Sequence, residues 1–201
     1  MGPDLSWDHN AHYWPLLLRE LPPHCDRVLE VGCGAGALAA VLAGRATRVD
    51  AVDRSPAMVA PARARVPGNV QVTEADRPRP EARAEPARRE EDGVLLLPLE
   101  EALRVLAAAV RPGGVLAAVV LPRSDLPREL PVEAAAGVLH RVVGLVRWVR
   151  GRRDVPTPGM PVREPELTVR EVRRRAAGVL PGVRVRRLLF WRYLLVWRRP
   201  G

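Results

Sequence analysis

Residues 28–36 read VLEVGCGAG, an apolar strand carrying one acid that runs straight into three glycines. No other stretch narrows the fold as much. A glycine turn after a strand lets backbone approach a ligand where a Cβ would collide. The helix expected behind it, residues 36–43, offers its first unpaired N–H groups to a polar ligand group. This unit predicts a site for a nucleoside-type cofactor.

The following residues keep the same rhythm. Residues 47–53, TRVDAVD, alternate toward a second strand. Ser55 and Pro56 then supply an N-cap and a first-turn proline for a helix over 56–65, which Pro61 should kink. Pro67–Gly68 form a turn, and NVQVT at 69–73 a third strand. The run 77–93 is proline, arginine and glutamate with almost no apolar content, and reads as a solvated loop. Beyond it come VLLL at 94–97, a helix over 99–110, the turn Arg111–Gly114 and the continuously apolar strand 115–121. Strands alternating with helices argue an α/β fold, a parallel sheet with helices on its faces.

The flanks add lesser elements. Residues 8–20 predict an N-terminal helix interrupted by Pro15. A helix over 132–150 places Val132, Ala135, Ala136, Leu139, Val142, Val143, Val146 and Val149 on one face. Residues 151–165 form a proline-rich loop, and Thr168 and Glu171 have capping-box spacing for a last helix. Two strands, 183–189 and 193–198, close the chain, with Phe190, Trp191 and Tyr193 at the bend.

Composition bounds the answer. A chain of 201 residues, 47 % apolar, can bury one core, so a single domain is expected. No stretch has a signal-peptide pattern, and none reaches roughly 18 uncharged apolar residues, so no membrane span is expected. Cys25 and Cys33 make a poor disulfide pair, which fits a reducing cytoplasm. His9, His12, His24 and His140 lack metal-ligand spacing, so no metal is expected. The net charge is +9, and every basic residue is arginine. Residues 141–201 hold 16 arginines against 4 acids, whereas 1–140 hold 16 against 19. Such a basic end could attract nucleic acid, an anionic membrane or an acidic substrate. Arginine solvated at the surface and set by GC-rich coding is the commoner meaning.

Two acids discriminate among cofactors. Gly32, Gly34 and Ala37 satisfy the loose GxGxxA form used for dinucleotides. Glu30, two residues before Gly32, suits a ligand ammonium and would repel a nearby pyrophosphate. Asp53 ends the second strand, where a carboxylate can accept from both ribose hydroxyls, each bond worth about 1.5–3 kcal/mol. A nucleotide-dependent oxidoreductase is disfavoured by the position of Glu30.

With these residues the chain resembles the class I S-adenosylmethionine (SAM) dependent methyltransferases. VLEVGCGAG is similar to their first motif, AVDRSPAM at 51–58 to the second-strand acid and following helix, and RPGGVLAAVVL at 111–121 to the turn into the fifth strand. The tail LFWRYLLVWRRP is similar to the closing strands of small bacterial members. The resemblance implies a Rossmann-like, doubly wound, mostly parallel sheet with an antiparallel C-terminal strand. It divides the single domain into an N-terminal helix (1–26), a SAM-binding core (27–121) and lid helices with closing strands (122–201). By the same resemblance, Glu30 and the loop of Gly32, Cys33, Gly34 and Gly36 hold the methionine part. Asp53 holds the ribose, and Arg54 and Met58 of the second motif are also cofactor-binding. Asp76 meets the adenine amine, and Arg77 stands where the family tends to place an apolar adenine contact. Tyr13 and His12 close over the cofactor, with His12 as base. The blander alternatives are a strand-end surface acid at Glu30, a loop acid at Asp76 and core packing for the His12–Tyr13 helix.

One region departs from the family pattern. The fourth strand is either shortened to 94–97 or missing, which leaves a non-catalytic methyltransferase-like binding protein as the alternative function. No signature for methylating a flipped base is present, which argues against nucleic acid and for a small-molecule acceptor. Trp148 and Trp191 could line an apolar acceptor pocket, and His140 could border it, although core or surface roles are commoner for all three. Cys33 reads as a small residue at a tight place. The oligomeric state is open.

Overall fold

The alternating segments around the glycine turn do build a parallel sheet. β1 (Cys25–Val31), β2 (Ala46–Asp53) and β3 (Val70–Glu74) lie in that order, both pairs parallel. The register sets Glu30 opposite Ala51 and Asp53 opposite Glu74, so the two acids singled out above both sit at strand ends. β2 is the middle strand, and Val49, Ala51, Val52 and Asp53 on it are buried. Parallel neighbours need crossovers. α3 (Ala37–Leu42) and α4 (Pro56–Arg65) supply them, burying Ala39, Leu42, Met58, Val59 and Ala62. Pro61 lies within α4, yet the helix runs on to Arg65. It ends where Val66 turns extended ahead of Pro67, the conformation proline imposes on the residue before it.

The computed structural model describes residues 9–75, 98–125, 130–149 and 165–201. The readings at 76–97, the solvated loop and the short fourth strand at 94–97, lie outside the described residues. Among the described residues no strand stands between β3 and α5 (Leu99–Ala109). β1 is an edge of the three-stranded sheet, and its Leu29 and Val31 are exposed.

The chain packs as two units. One is Leu21–Val115 with Arg199–Gly201, the other Met1–Glu20 with Leu116–Arg198. The first unit holds the parallel sheet and α5. Arg199 closes it by donating to the Val110 and Ala107 carbonyls at 2.7 and 3.3 Å. The Ala107 carbonyl also accepts the Val110 N–H at 3.2 Å, and both carbonyls stand at the end of α5, where a cation suits the helix dipole. The turn Arg111–Gly114 is a hydrogen-bonded β-turn with Pro112 second and Gly113 at φ 72° third, the type II pattern.

The second unit holds α1 (His9–His12), α2 (Trp14–Glu20), α6 (Leu130–Val149), α7 (Val169–Val179) and a sheet of order β4-β6-β5, from β4 (Val115–Val120), β6 (Arg192–Arg198) and β5 (Arg184–Leu188). β5 and β6 are antiparallel. A parallel sheet plus an antiparallel C-terminal pair is the α/β class expected. The helix break falls at Tyr13, and Pro15 opens α2 instead of breaking it, because a first-turn proline gives up an N–H that has no partner anyway. The capping box forms: Glu171 N–H donates to Thr168 Oγ1 at 3.3 Å, and Thr168 N–H to Glu171 Oε2 at 2.8 Å.

α6 corrects the expected single apolar face. Ala136 is buried and Val143 packs beside it, but Leu139, Val142, Val146 and Val149 are exposed. Helical spacing defines a stripe about half the circumference wide; the tertiary neighbours covered only one margin of it.

Candidate cofactor site

The first unit brings the predicted acids and glycines together at the end of its sheet. Gly32, Gly34 and Gly36 have φ of 78°, 53° and 77°, the left-handed conformation that favours glycine. Their reasons differ. A Cβ on Gly36 would stand 2.9 Å from Val66 Cγ1 and 3.2 Å from Ala62 Cβ, so α3 and α4 can approach only over a glycine. Among the described residues, a Cβ on Gly32 or Gly34 would meet nothing within 4 Å. Those two glycines line open space.

The turn is tied to β2. Gly32 and Cys33 N–H donate to the Val52 carbonyl at 2.8 and 3.0 Å. Gly34 N–H donates to Asp53 Oδ2 at 2.8 Å, and Ser55 N–H to Asp53 Oδ1 at 2.9 Å. Asp53 is thus a buried carboxylate held by two backbone donors, and each oxygen retains a lone pair for a further one. Ser55 is the N-cap of α4 as expected, but its side chain makes no cap bond. The Ser55 amide is a part of the site that sequence reading missed; the acid two residues before an N-cap was the available signal.

Glu30 is half-buried as a residue, but its Oε2 is fully buried and has no hydrogen-bond partner among the described residues. Burial, and then the Asp53 charge, push its carboxyl up to about 7. A buried carboxylate facing a second one calls for a cation. Cys33 is buried, and its thiol is pushed up to about 12 by burial and then by the Glu30 and Asp53 charges. It is neutral and a poor nucleophile near pH 7. Met58 is buried, its N–H on the Ser55 carbonyl at 2.9 Å, and Arg54 is half-buried. Asp76 and Arg77 lie outside the described residues.

The matching sequence model describes a methyltransferase domain and covers residues 28–114. An uncharacterized methyltransferase of Mycobacterium tuberculosis is 33 % identical over 210 residues, spanning 98 % of this chain and 99 % of the relative. A counterpart in Mycobacterium bovis matches equally. The chain belongs to the class I SAM-dependent methyltransferases. Solved structures repeat the fold. A DhpI complex with S-adenosylhomocysteine aligns at TM-score 0.57 and 20 % identity over 96 % of this chain and 85 % of that one. The N-methyltransferase NodS of Bradyrhizobium japonicum aligns at 0.52 and 13 % over 96 % and 97 %.

The residues present fit the family's cofactor. A sulfonium nucleoside with an amino-acid tail needs an acid for its ammonium, an acid for its ribose and backbone free of Cβ between them. Glu30, Asp53 and the Gly32–Gly34 turn have those properties in this methyltransferase. No described group of histidine, cysteine and acidic side chains could hold a metal, and no described helix is long and apolar enough to cross a membrane.

Two other predicted residues stand in the second unit. Tyr13 is buried with Ala136 and Phe190, and its hydroxyl donates to the Leu189 carbonyl. Burial pushes that hydroxyl up to about 12, against the lowering charge of Arg192. His12 is exposed, with its ring edge-on to Tyr13 at 4.9 Å and to Phe190 at 5.4 Å. His140 lies 6.4 Å from Trp191 between ring centroids. The Trp148 side chain lies outside the described residues.

Proposed function

We propose that the chain transfers a methyl group from SAM to a small-molecule acceptor. One observation carries the reading: Glu30 Oε2 is buried without a partner among the described residues, next to an Asp53 carboxylate that the glycine turn itself holds in place. An ammonium answers Glu30, and ribose hydroxyls answer the free lone pairs of Asp53.

Bound SAM supplies an activated methyl on sulfur, so displacement needs alignment more than acid or base. The chain's own share is to orient and desolvate. Glu30 takes the ammonium and leaves its neutral form. Asp53 fixes the ribose, while the Gly34 and Ser55 amides hold the carboxylate still. Asp76 and Arg77 are proposed for the adenine side on the family motif. Tyr13 and His12 are proposed on the sequence pattern alone, with His12 as base for an acceptor that must lose a proton.

Thermal-shift titration with S-adenosylhomocysteine tests the cofactor half. Ligand at about 100 times its dissociation constant should stabilise by roughly 2.7 kcal/mol. No shift at millimolar ligand rejects the reading. Methyl transfer to a panel of small apolar acceptors tests the other half, and binding without transfer makes the chain a methyltransferase-like binding protein. Loss of turnover in His12→Ala with cofactor binding intact is expected if His12 is the base.

A further inference from the structure

α6 is apolar on two sides, and among the described residues its second side is exposed. Ala136 and Val143 pack toward Tyr13 and Phe190. Val138, Val142, Leu145 and Val149 recur at spacings of four, three and four, which puts them about half a turn away on the opposite side. All four are exposed, Val138 at 65 % and Val149 at 70 %. An exposed apolar stripe of this length marks an interaction surface.

Charge selects the occupant. Arg141, beside the stripe, is exposed, and no acid lies between Ala134 and Val149. The unit bearing α6 holds eighteen of the 32 arginines but only ten of the 23 acidic residues. A second copy would cover the valines but bring the same excess of positive charge. Nucleic acid would answer the charge but leave the valines in water. An anionic lipid surface answers both.

We propose that the outer face of α6 docks on an anionic membrane surface. Val138, Val142, Leu145 and Val149 enter the headgroup boundary, and arginines of the same unit meet lipid phosphates. The helix lies in the interface plane and does not span it.

Co-sedimentation of the full chain with vesicles tests this. One vesicle is phosphatidylcholine alone; the other is equal parts phosphatidylcholine and phosphatidylglycerol. The chain is expected in the pellet with the anionic vesicles and in the supernatant with the neutral ones. The double variant Val142→Glu/Leu145→Glu changes two exposed residues. It should keep the native melting temperature and lose at least about tenfold in partitioning. Wild-type chain that ignores anionic vesicles overturns the proposal. So does equal binding to both vesicles, or a folded double variant that binds like wild type. Self-association that the double variant abolishes, without vesicle binding, assigns the face to a second copy and overturns it too.

Discussion

The Gly34 amide donates to Asp53 Oδ2 at 2.8 Å, so the residue expected to bind the ribose also holds the turn. A single carboxylate thereby links β1's turn to β2 and, through Ser55 at 2.9 Å, to the start of α4. Asp53→Asn keeps the shape but turns an NH2 toward one of two backbone donors. It should cost about 1–3 kcal/mol in stability. The lost charge-assisted bonds should weaken S-adenosylhomocysteine by about tenfold to a hundredfold. Urea denaturation and calorimetric titration read the two effects separately. A destabilised variant with native affinity would remove Asp53 from the ribose.

Glu30 makes stability and binding pH-dependent in opposite senses. Its carboxyl lies at about 7 in the folded chain against 4.5 ordinarily. The stability given by the neutral form is complete below about pH 4.5 and is lost as pH rises through about 7. Glu30→Gln stays neutral throughout, so at about pH 8 the ligand-free variant should be more stable by up to about 3 kcal/mol. The cofactor ammonium needs the ionised form. Wild-type affinity should fall by up to about tenfold per pH unit below about 7, and the variant should show no such slope. Melting curves and ligand titrations across this range check both signs.

The three glycines should separate into packing and ligand roles. Gly36→Ala adds a methyl 2.9 Å from Val66 Cγ1 at φ 77°, so strain and overpacking together should cost roughly 2–4 kcal/mol. Gly32→Ala has a similar φ of 78° but open space, and should cost only about 1–2 kcal/mol. The added Cβ then occupies space proposed for ligand, so its S-adenosylhomocysteine affinity should drop more than its stability. Equal stability losses in the two variants would contradict the division.

What could be read in advance follows interaction range. The capping box of Thr168 and Glu171, the turn at Arg111–Gly114 and the strand ends at Glu30 and Asp53 are local patterns, and all three were legible. The outward valines of α6 were not, because spacing defines a stripe and only neighbours decide which margin is covered. The Asp53–Gly34 bond joins residues nineteen apart, so Asp53 was legible as a strand-end acid but not as a turn anchor. Ser55 was legible as an N-cap position, but its amide's partner was not. The bend between β5 and β6 hid more. Phe190 and Trp191 take φ of 52° and 55°, a conformation no bulky residue announces.

That bend depends on Tyr13. Left-handed backbone at two aromatic residues costs about 1–3 kcal/mol each. Burial of Phe190 against Tyr13 and Ala136 offsets part of it. The Tyr13 hydroxyl, donating to the Leu189 carbonyl, holds the first residue of the bend. Tyr13→Phe keeps the ring packing and deletes only that bond. The variant should lose about 0.5–1.5 kcal/mol in denaturant unfolding. Amide exchange should quicken at Phe190, Trp191 and Arg192, while Val49, Ala51 and Val52 on β2 keep wild-type protection. Uniform acceleration through β2 would mean that the hydroxyl supports the whole chain and not the bend.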